Sequence, residues 1–231
     1  MVIEIYCDFD GTITKQDTVD LLLSELADLT WMEIEDEWIR GDIGSRECLQ
    51  KQIPLIKGGW KAIESVLNTV IIDPTFINFV TWCSSRDIPL MIVSDGLDKV
   101  INALFLRENI IVDKIWSNHL EISSNNDCKI TFPHRSFLNS CQSGLCKCSI
   151  LEQTYSKRLR VVIGDGLSDF CWSNKADLLF AKSKLLDHCQ LNNISHKPLD
   201  DFNTVISVLN KVFEETLLQK KSVGVLQQGV F

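Results

Sequence analysis

Three apolar runs in this chain each stop abruptly at a short stretch of Asp, Ser and Gly, and this repetition restricts the fold more than any other feature. Val2-Ile3-Glu4-Ile5-Tyr6-Cys7 runs into Asp8-Phe9-Asp10-Gly11-Thr12. Ile88-Pro89-Leu90-Met91-Ile92-Val93 runs into Ser94-Asp95-Gly96, and residues 160–163 run into Gly164-Asp165-Gly166. Short apolar runs bounded by turn residues read as strands buried on both faces. Residues 178–181 supply a fourth candidate. Helical patterns separate these strands, which predicts an α/β fold with helices on both faces of a mostly parallel sheet, a three-layer core. Ligands of such sheets bind beyond the carboxyl ends of the strands, and Asp8, Ser94 and Asp165 all fall there.

Residues 16–82 carry no convincing strand. Val19, Leu22, Leu23 and Leu26, then Trp31, Ile34 and Trp38, recur at spacings of three and four, and Gly41, Gly44, Pro54 and Gly58-Gly59 break the pattern into short helices. This segment is expected to be a helical cap inserted after the first strand. The catalytic core then comprises residues 1–15 and 83–218. Within it, residues 110–116 read as a strand, and 120–122 with 128–132 as a hairpin around Asn125-Asn126-Asp127. The last helix spans 200–217, with Phe202, Val205, Ile206, Leu209, Val212, Phe213 and Leu217 on one stripe. Residues 219–231 lack a clear period and are expected to form a flexible tail.

The chain has 231 residues, 45% of them hydrophobic, and a formal net charge of −8. That charge, with no basic stripe interleaved with aromatics, argues against nucleic acid as a partner. No leader peptide is read at the N-terminus, and the apolar runs fall short of the roughly 18 residues a membrane span needs. Nine cysteines, an odd number without framework density, point to a reducing, cytoplasmic compartment. Cys141, Cys146 and Cys148 near His134 form the sharpest cluster. Their C-x4-C-x-C spacing lacks the paired knuckles of structural zinc sites, so thiols without metal are the preferred reading. Oligomeric state is not encoded in any recognisable pattern.

The strand-end residues suit phosphoryl transfer, which needs a nucleophile, a proton donor for the leaving oxygen and positive charge over the phosphoryl oxygens. Asp8 and Asp10, two apart on an extended segment, project to one side. One carboxylate can attack phosphorus while the other protonates the leaving group and then activates water. Gly11 lets the backbone turn beneath the phosphate, and the Thr12 hydroxyl can hydrogen-bond it. Ser94 can donate to a phosphoryl oxygen, Gly96 leaves room for close backbone approach, and Lys147 is a point cation for the transferring group. Asp165 and Asp169 add hard oxygen ligands that, with Asp8, would hold Mg²⁺. Taken singly, each of these has a bland alternative: a surface acid pair, a capped turn, a solvated lysine. Their order and company favour a site whose partner is a small phosphorylated metabolite.

Asp8-Phe9-Asp10-Gly11-Thr12, Ser94, Lys147 and Gly164-Asp165-Gly166-x-Ser168-Asp169 together resemble the four ordered motifs of the haloacid dehalogenase superfamily, over almost the whole chain. The resemblance implies a Rossmann-like core, Asp8 as nucleophile and Asp10 as acid and base. It also implies Mg²⁺ held by Asp8, the Asp10 main-chain carbonyl and Asp165, with Asp169 supporting the metal. The helical insertion after the first motif resembles the cap of the phosphoserine-phosphatase-like branch. Residues 8–14 and Gly144-Leu145-Cys146-Lys147 are most similar to phosphatases acting on 2-hydroxy-3-keto-5-methylthiopentenyl-1-phosphate in methionine salvage.

The alternatives are a phosphatase for phosphoserine, phosphocholine or phosphoethanolamine, pyridoxal phosphate or a nucleotide, and, outside enzymes, a receiver-like phosphoacceptor module. Gly11 and Thr14-Lys15 depart from the phosphoserine phosphatase pattern, which weakens an amino-acid substrate. The long insertion and an acid placed like Asp10 weigh against a receiver. No Cys is followed six positions on by Arg, and no G-x4-G-K-[ST] loop is present. Arg40, Arg46, Lys51 and Lys57 are candidate anion binders for which solvated surface is the preferred reading. Trp31, Trp38 and Trp60 are candidates for an apolar pocket, with core packing preferred for at least two.

Overall fold

All five residues of β1 (Ile3–Cys7) are buried, because this strand lies at the centre of the sheet and is covered on both faces. The computed structural model describes residues 2–136, 141–153 and 158–227, with side chains to Glu215. After β1 come α1 (Thr18–Leu26), α2 (Thr30–Ile39), α3 (Ser45–Gln52), α4 (Gly59–Leu67) and α5 (Pro74–Ser84). The chain continues through β2 (Leu90–Leu97), α6 (Asp98–Arg107), β3 (Lys114–Ile122), β4 (Cys128–Thr131), α7 (Lys147–Gln153) and β5 (Leu159–Gly164). It ends with α8 (Phe170–Ser173), β6 (Leu178–Ala181), α9 (Ser183–Leu191), β7 (Lys197–Pro198) and α10 (Phe202–Gln227).

The seven strands order as β4-β3-β2-β1-β5-β6-β7, parallel throughout except for the antiparallel β3–β4 hairpin. Alternation along β1 divides the core. Ile3, Ile5 and Cys7 pack with α5, α6 and α10 through Phe76, Phe79, Leu104, Phe105 and Phe202. Tyr6 faces the other way, with Met91, Val93 and Val162, onto Ile150, Leu151, Trp172, Leu185 and Cys189 of α7, α8 and α9. The chain therefore adopts the three-layer, mostly parallel architecture expected of it.

Three details differ from the sequence expectation. β3 starts at Lys114 and runs unbroken to Ile122, so the expected strand and the first arm of the hairpin are one element. Asp113 fixes that start, its side chain accepting from the Leu90 N–H at 2.8 Å. β7 is only two residues long, too short to leave a period in the sequence. The last helix continues past Leu217 to Gln227, through much of the segment expected to be a tail. Leu, Gln and Lys between 217 and 221 are good helix formers, so a helix nucleated upstream propagates through them. Residues 228–231 lie outside the described residues.

The helices between β1 and β2 have two destinations. α5 packs on α10, where Phe76 and Phe202 rings meet at 4.9 Å and Phe79 and Phe202 at 5.3 Å. Residues of α1, α2 and α3 instead line a cleft that also contains the ends of β1, β2 and β5. Asp17 caps α1, its carboxylate accepting from the Val19 and Asp20 N–H groups.

Candidate active site

The end of β1 delivers Asp8 into a buried cluster of acids. Its backbone N–H bonds the Ile163 carbonyl at 2.9 Å, so the ends of β1 and β5 are locked in register and Asp8 faces Asp165 and Asp169. Carboxylate oxygens of these three residues all lie within 4.8 Å of one another, the one such convergence of metal-ligating groups among the described residues. Lys147, fully buried at the start of α7, donates to Asp8 Oδ1 at 2.6 Å and to Asp169 Oδ1 at 2.7 Å. Its ammonium group also lies 5.1 Å from the centroid of the Trp172 ring.

Each acid is fixed by a different set of donors. Asp169 Oδ2 accepts from the backbone N–H groups of Asp165 and Gly166 at 2.9 and 3.0 Å. Thr12 Oγ1 donates to Asp165 Oδ1 at 2.9 Å and stands 3.5 Å from Asp8 Oδ2. Gly11 turns the chain at φ 71°, and a Cβ there would stand 2.5 Å from Asp165 Oδ2. The glycine is thus required twice, by its backbone angle and by its neighbour.

Asp10 points away from this cluster. Its Oδ1 accepts from the Thr18 N–H at 2.8 Å and the Thr18 hydroxyl at 2.6 Å, while Oδ2 lies 3.4 Å from Ser94 Oγ. Ser94 Oγ in turn accepts from the Gly96 N–H at 2.9 Å. A Cβ on Gly96 would reach within 2.4 Å of Asp10 Oδ2 and 3.0 Å of Ser94 Oγ, so this position admits no side chain without moving both. The nine residues singled out from sequence (Asp8, Asp10, Gly11, Thr12, Ser94, Gly96, Lys147, Asp165 and Asp169) therefore meet at one end of the sheet. They separate into a carboxylate–lysine cluster and a second pocket around Asp10.

Electrostatics follow this separation. Burial and the neighbouring Asp169 carboxylate raise the pKa of Asp8 well above the usual range, against the opposing pull of Lys147. Burial and Asp169 likewise raise Asp165. Burial disfavours the Lys147 cation, but Asp169 and Asp8 outweigh it and hold the pKa above the ordinary lysine value. Three clustered acids against one contacting buried lysine leave the cluster short of positive charge. Its donors are all hard oxygens, so the residues present fit a divalent ion such as Mg²⁺. Burial and then Asp17 raise Asp10 to about 7, partly offset by the Thr18 hydrogen bonds.

The cleft, about 340 Å³, is completed by residues that motif reading did not single out: Asp17, Asp20 and Glu35, with Cys48, Leu49 and Gln52 of α3. Gln52 donates to Glu35 Oε2 at 3.0 Å. Burial and Asp20 push Asp17 up to about 7, and burial and Glu35 push Asp20 to about 6. Thr18 and Lys182 were missed as well. Lys182 Nζ reaches the Thr12 carbonyl at 3.3 Å, and its charge opposes the rise of Asp165. Of these, only Asp17-Thr18 carries a local signal, an acid and a hydroxyl residue directly ahead of the helical period that begins at Val19. Of the tryptophans, Trp38 lines the cleft, whereas Trp31 and Trp60 pack against the core. Arg40, Arg46, Lys51 and Lys57 are not among the cleft residues, and Arg40 and Lys51 pair with surface acids. Cys146 and Cys148 bring their sulfurs to 3.4 Å, but no three thiols converge as metal ligands among the described residues.

Among the described residues no helix is long and apolar enough to cross a membrane. A family profile described as "Putative Phosphatase" matches residues 3–184. The 2-hydroxy-3-keto-5-methylthiopentenyl-1-phosphate phosphatase of Geobacillus kaustophilus (strain HTA426) is 32% identical over 213 residues, covering 90% of this chain and 96% of that protein. Its namesake in Bacillus velezensis (strain DSM 23117 / BGSC 10A6 / LMG 26770 / FZB42) is 29% identical over 228 residues, 95% of each chain. A substrate-bound phosphoserine phosphatase structure superposes with a TM-score of 0.69 at 19% identity, covering 90% of this chain and 98% of that one. An enzyme family, rather than a phosphoacceptor signalling module, accounts for these likenesses along nearly the full chain. The chain belongs to this phosphatase family and is a phosphoric monoester hydrolase, with the fold of the phosphoserine phosphatase structure.

Proposed function

We propose that this phosphatase hydrolyses a small phosphomonoester in two steps through a phosphorylated Asp8, with Mg²⁺ as cofactor. The observation that carries this reading is the pairing of a buried, lysine-held Asp8 with a separately held Asp10 whose pKa lies near neutrality. Asp8 attacks phosphorus, the bond to the leaving oxygen breaks, and Asp10, protonated, gives that oxygen its proton. Asp10 then takes a proton from water, water oxygen attacks phosphorus, and the bond to Asp8 breaks, releasing phosphate and restoring both carboxyl groups. Ser94 Oγ and the Lys147 ammonium hold phosphoryl oxygens, with the Thr12 hydroxyl and the Gly11 and Gly96 backbone close by. Asp8, the Asp10 main-chain carbonyl and Asp165 would hold Mg²⁺, with Asp169 behind them. The ion, when bound, supplies positive charge over the phosphoryl oxygens.

For the substrate we favour 2-hydroxy-3-keto-5-methylthiopentenyl-1-phosphate, the compound in the names of the curated relatives. The cleft lining supports it. Trp38 and Leu49 offer an apolar surface for a methylthio end, and Asp17, Asp20 and Glu35 offer acceptors for hydroxyl groups. Phosphoserine would bring an α-carboxylate against three acids, with Lys184 as the one cation among the lining residues. The same three acids favour a second reading, a phosphorylated amino alcohol whose ammonium group they would attract. α1 to α4 act as the cap that selects among these esters, with α5 belonging to the core it packs on, and the reaction is placed in the cytoplasm. Phosphate release from the methylthiopentenyl ester, phosphoethanolamine, phosphocholine, phosphoserine, pyridoxal phosphate and nucleoside monophosphates tests this directly. The highest kcat/KM is expected on the methylthiopentenyl ester. A preference for phosphoserine would overturn the substrate assignment.

A further inference from the structure

Asp95 stands between Ser94 and Gly96, yet its carboxylate is occupied by neither. Oδ2 accepts from Ser45 Oγ at 2.5 Å, and Oδ1 accepts from the Leu145 N–H at 2.7 Å and Asn118 Nδ2 at 2.9 Å. Asn118, fully buried on β3, also donates to the Asp95 main-chain carbonyl at 2.6 Å. One side chain at the end of β2 thus joins the first residue of α3, the adjoining strand, and the loop two residues ahead of Lys147.

Neighbouring contacts reinforce the joint. The Gly144 N–H reaches Ser45 Oγ at 3.3 Å, and the Arg46 N–H donates to the Gln142 carbonyl at 3.1 Å. Residue 144 is confined to glycine by packing: a Cβ would stand 2.7 Å from Asp95 Oδ1 and 2.8 Å from the Phe132 ring. α3 contributes Ser45, Cys48, Leu49 and Gln52 to the cleft wall, and Lys147 holds Asp8 and Asp169. Both depend on hydrogen bonds to the same carboxylate.

We infer that Asp95 is a positioning residue of the phosphatase: it ties the α3 wall to the loop that carries Lys147, so the wall seats over the cleft and Lys147 reaches Asp8 as one event. This rests on the site roles proposed above. Asp95 touches no reacting atom in this scheme, and its negative charge is not what the reaction uses. What matters is the pair of hydrogen bonds it makes in two directions.

The substitutions separate those properties. Asp95→Asn keeps an acceptor for the Leu145 N–H and presents an NH₂ donor to the Ser45 hydroxyl, so it conserves both links without the charge. Asp95→Ala removes both, and Ser45→Ala removes one. With p-nitrophenyl phosphate and Mg²⁺, Asp95→Ala is expected to lower kcat by about tenfold, while Asp95→Asn retains most of it. Ser45→Ala is expected to lose less, and the double Ala variant no more than Asp95→Ala alone, because the two residues form one linkage. Hydrogen–deuterium exchange, read without turnover, should show Asp95→Ala raising uptake together in residues 44–52 and 141–153. Asp95→Asn as damaging as Asp95→Ala, multiplying losses in the double variant, or unchanged uptake in either segment would each overturn the inference. Absence of turnover by the wild-type protein would instead count against the site roles, and exchange alone would still decide the role of Asp95.

Discussion

Lys147 Nζ lies 2.6 Å from Asp8 Oδ1 and 2.7 Å from Asp169 Oδ1 with its side chain almost completely buried, so one cation holds two acids from different strand ends. A charge this deep is tolerated only because it is paired. Replacing Lys147 by Ala leaves two acids unpaired and, without Mg²⁺, should cost about 3–5 kcal/mol in stability. Turnover should fall by about 10²–10³. Lys147→Arg should not restore it, since the planar guanidinium does not fit the space an ammonium fills. Urea unfolding and steady-state kinetics on the two variants check this.

Gly96→Ala tests the pocket around Asp10. The added Cβ meets Asp10 Oδ2 and Ser94 Oγ, both of which must shift to admit it. The expected result is a kcat loss of about tenfold or more with a melting temperature within a few degrees of wild type. A variant of normal rate would show that Asp10 needs no fixed position.

The pH dependence has a definite sign. Asp10 must be protonated to serve the leaving group, and burial together with the Asp17 charge places its pKa at about 7. Turnover limited by that step should decline as pH rises above this value. Asp17→Asn removes a negative charge that opposes ionisation of Asp10, so the alkaline limb should move to lower pH. The amide still caps α1, leaving the helix start in place. A limb that stays put, or moves up, contradicts the assignment.

Metal removal has a readout apart from catalysis. Asp8, Asp165 and Asp169 converge with too little positive charge, so Mg²⁺ should raise the melting temperature of the wild-type protein. At about a hundredfold excess over Kd the gain is about 2.7 kcal/mol. Asp165→Asn should lose most of that gain, and EDTA should abolish turnover while leaving the protein folded.

The strand-end motifs were legible because each is local: Asp8 and Asp10 lie two apart, Asp165 and Asp169 four apart, and glycines mark where backbone approaches a carboxylate. Lys147 was legible by its order in the chain, although its two acid partners come from sites 139 and 22 residues away. The cleft wall was not. Glu35 meets Gln52 and Ser45 meets Asp95 only once α2, α3 and β2 are folded together, and nothing in a helical period marks those pairings. Asp95 stands in the short Ser94-Asp95-Gly96 stretch that closes an apolar run, and nothing in that local pattern marks the three partners of its side chain. The far end of α10 was misjudged for another reason: helix propagation depends on what precedes a segment as much as on its own pattern.

Covalent phosphate on Asp8 is tested most directly by mass analysis of the Asp10→Asn protein mixed with Mg²⁺ and p-nitrophenyl phosphate, whose leaving group needs no proton from Asp10, then quenched and digested. Without the Asp10 carboxylate as base to activate water, one phosphoryl group is expected on the peptide carrying Asp8, and none in the Asp8→Asn/Asp10→Asn double variant. Full turnover by Asp8→Asn, or normal turnover by Asp10→Asn with no phosphoryl group on that peptide, would contradict the account.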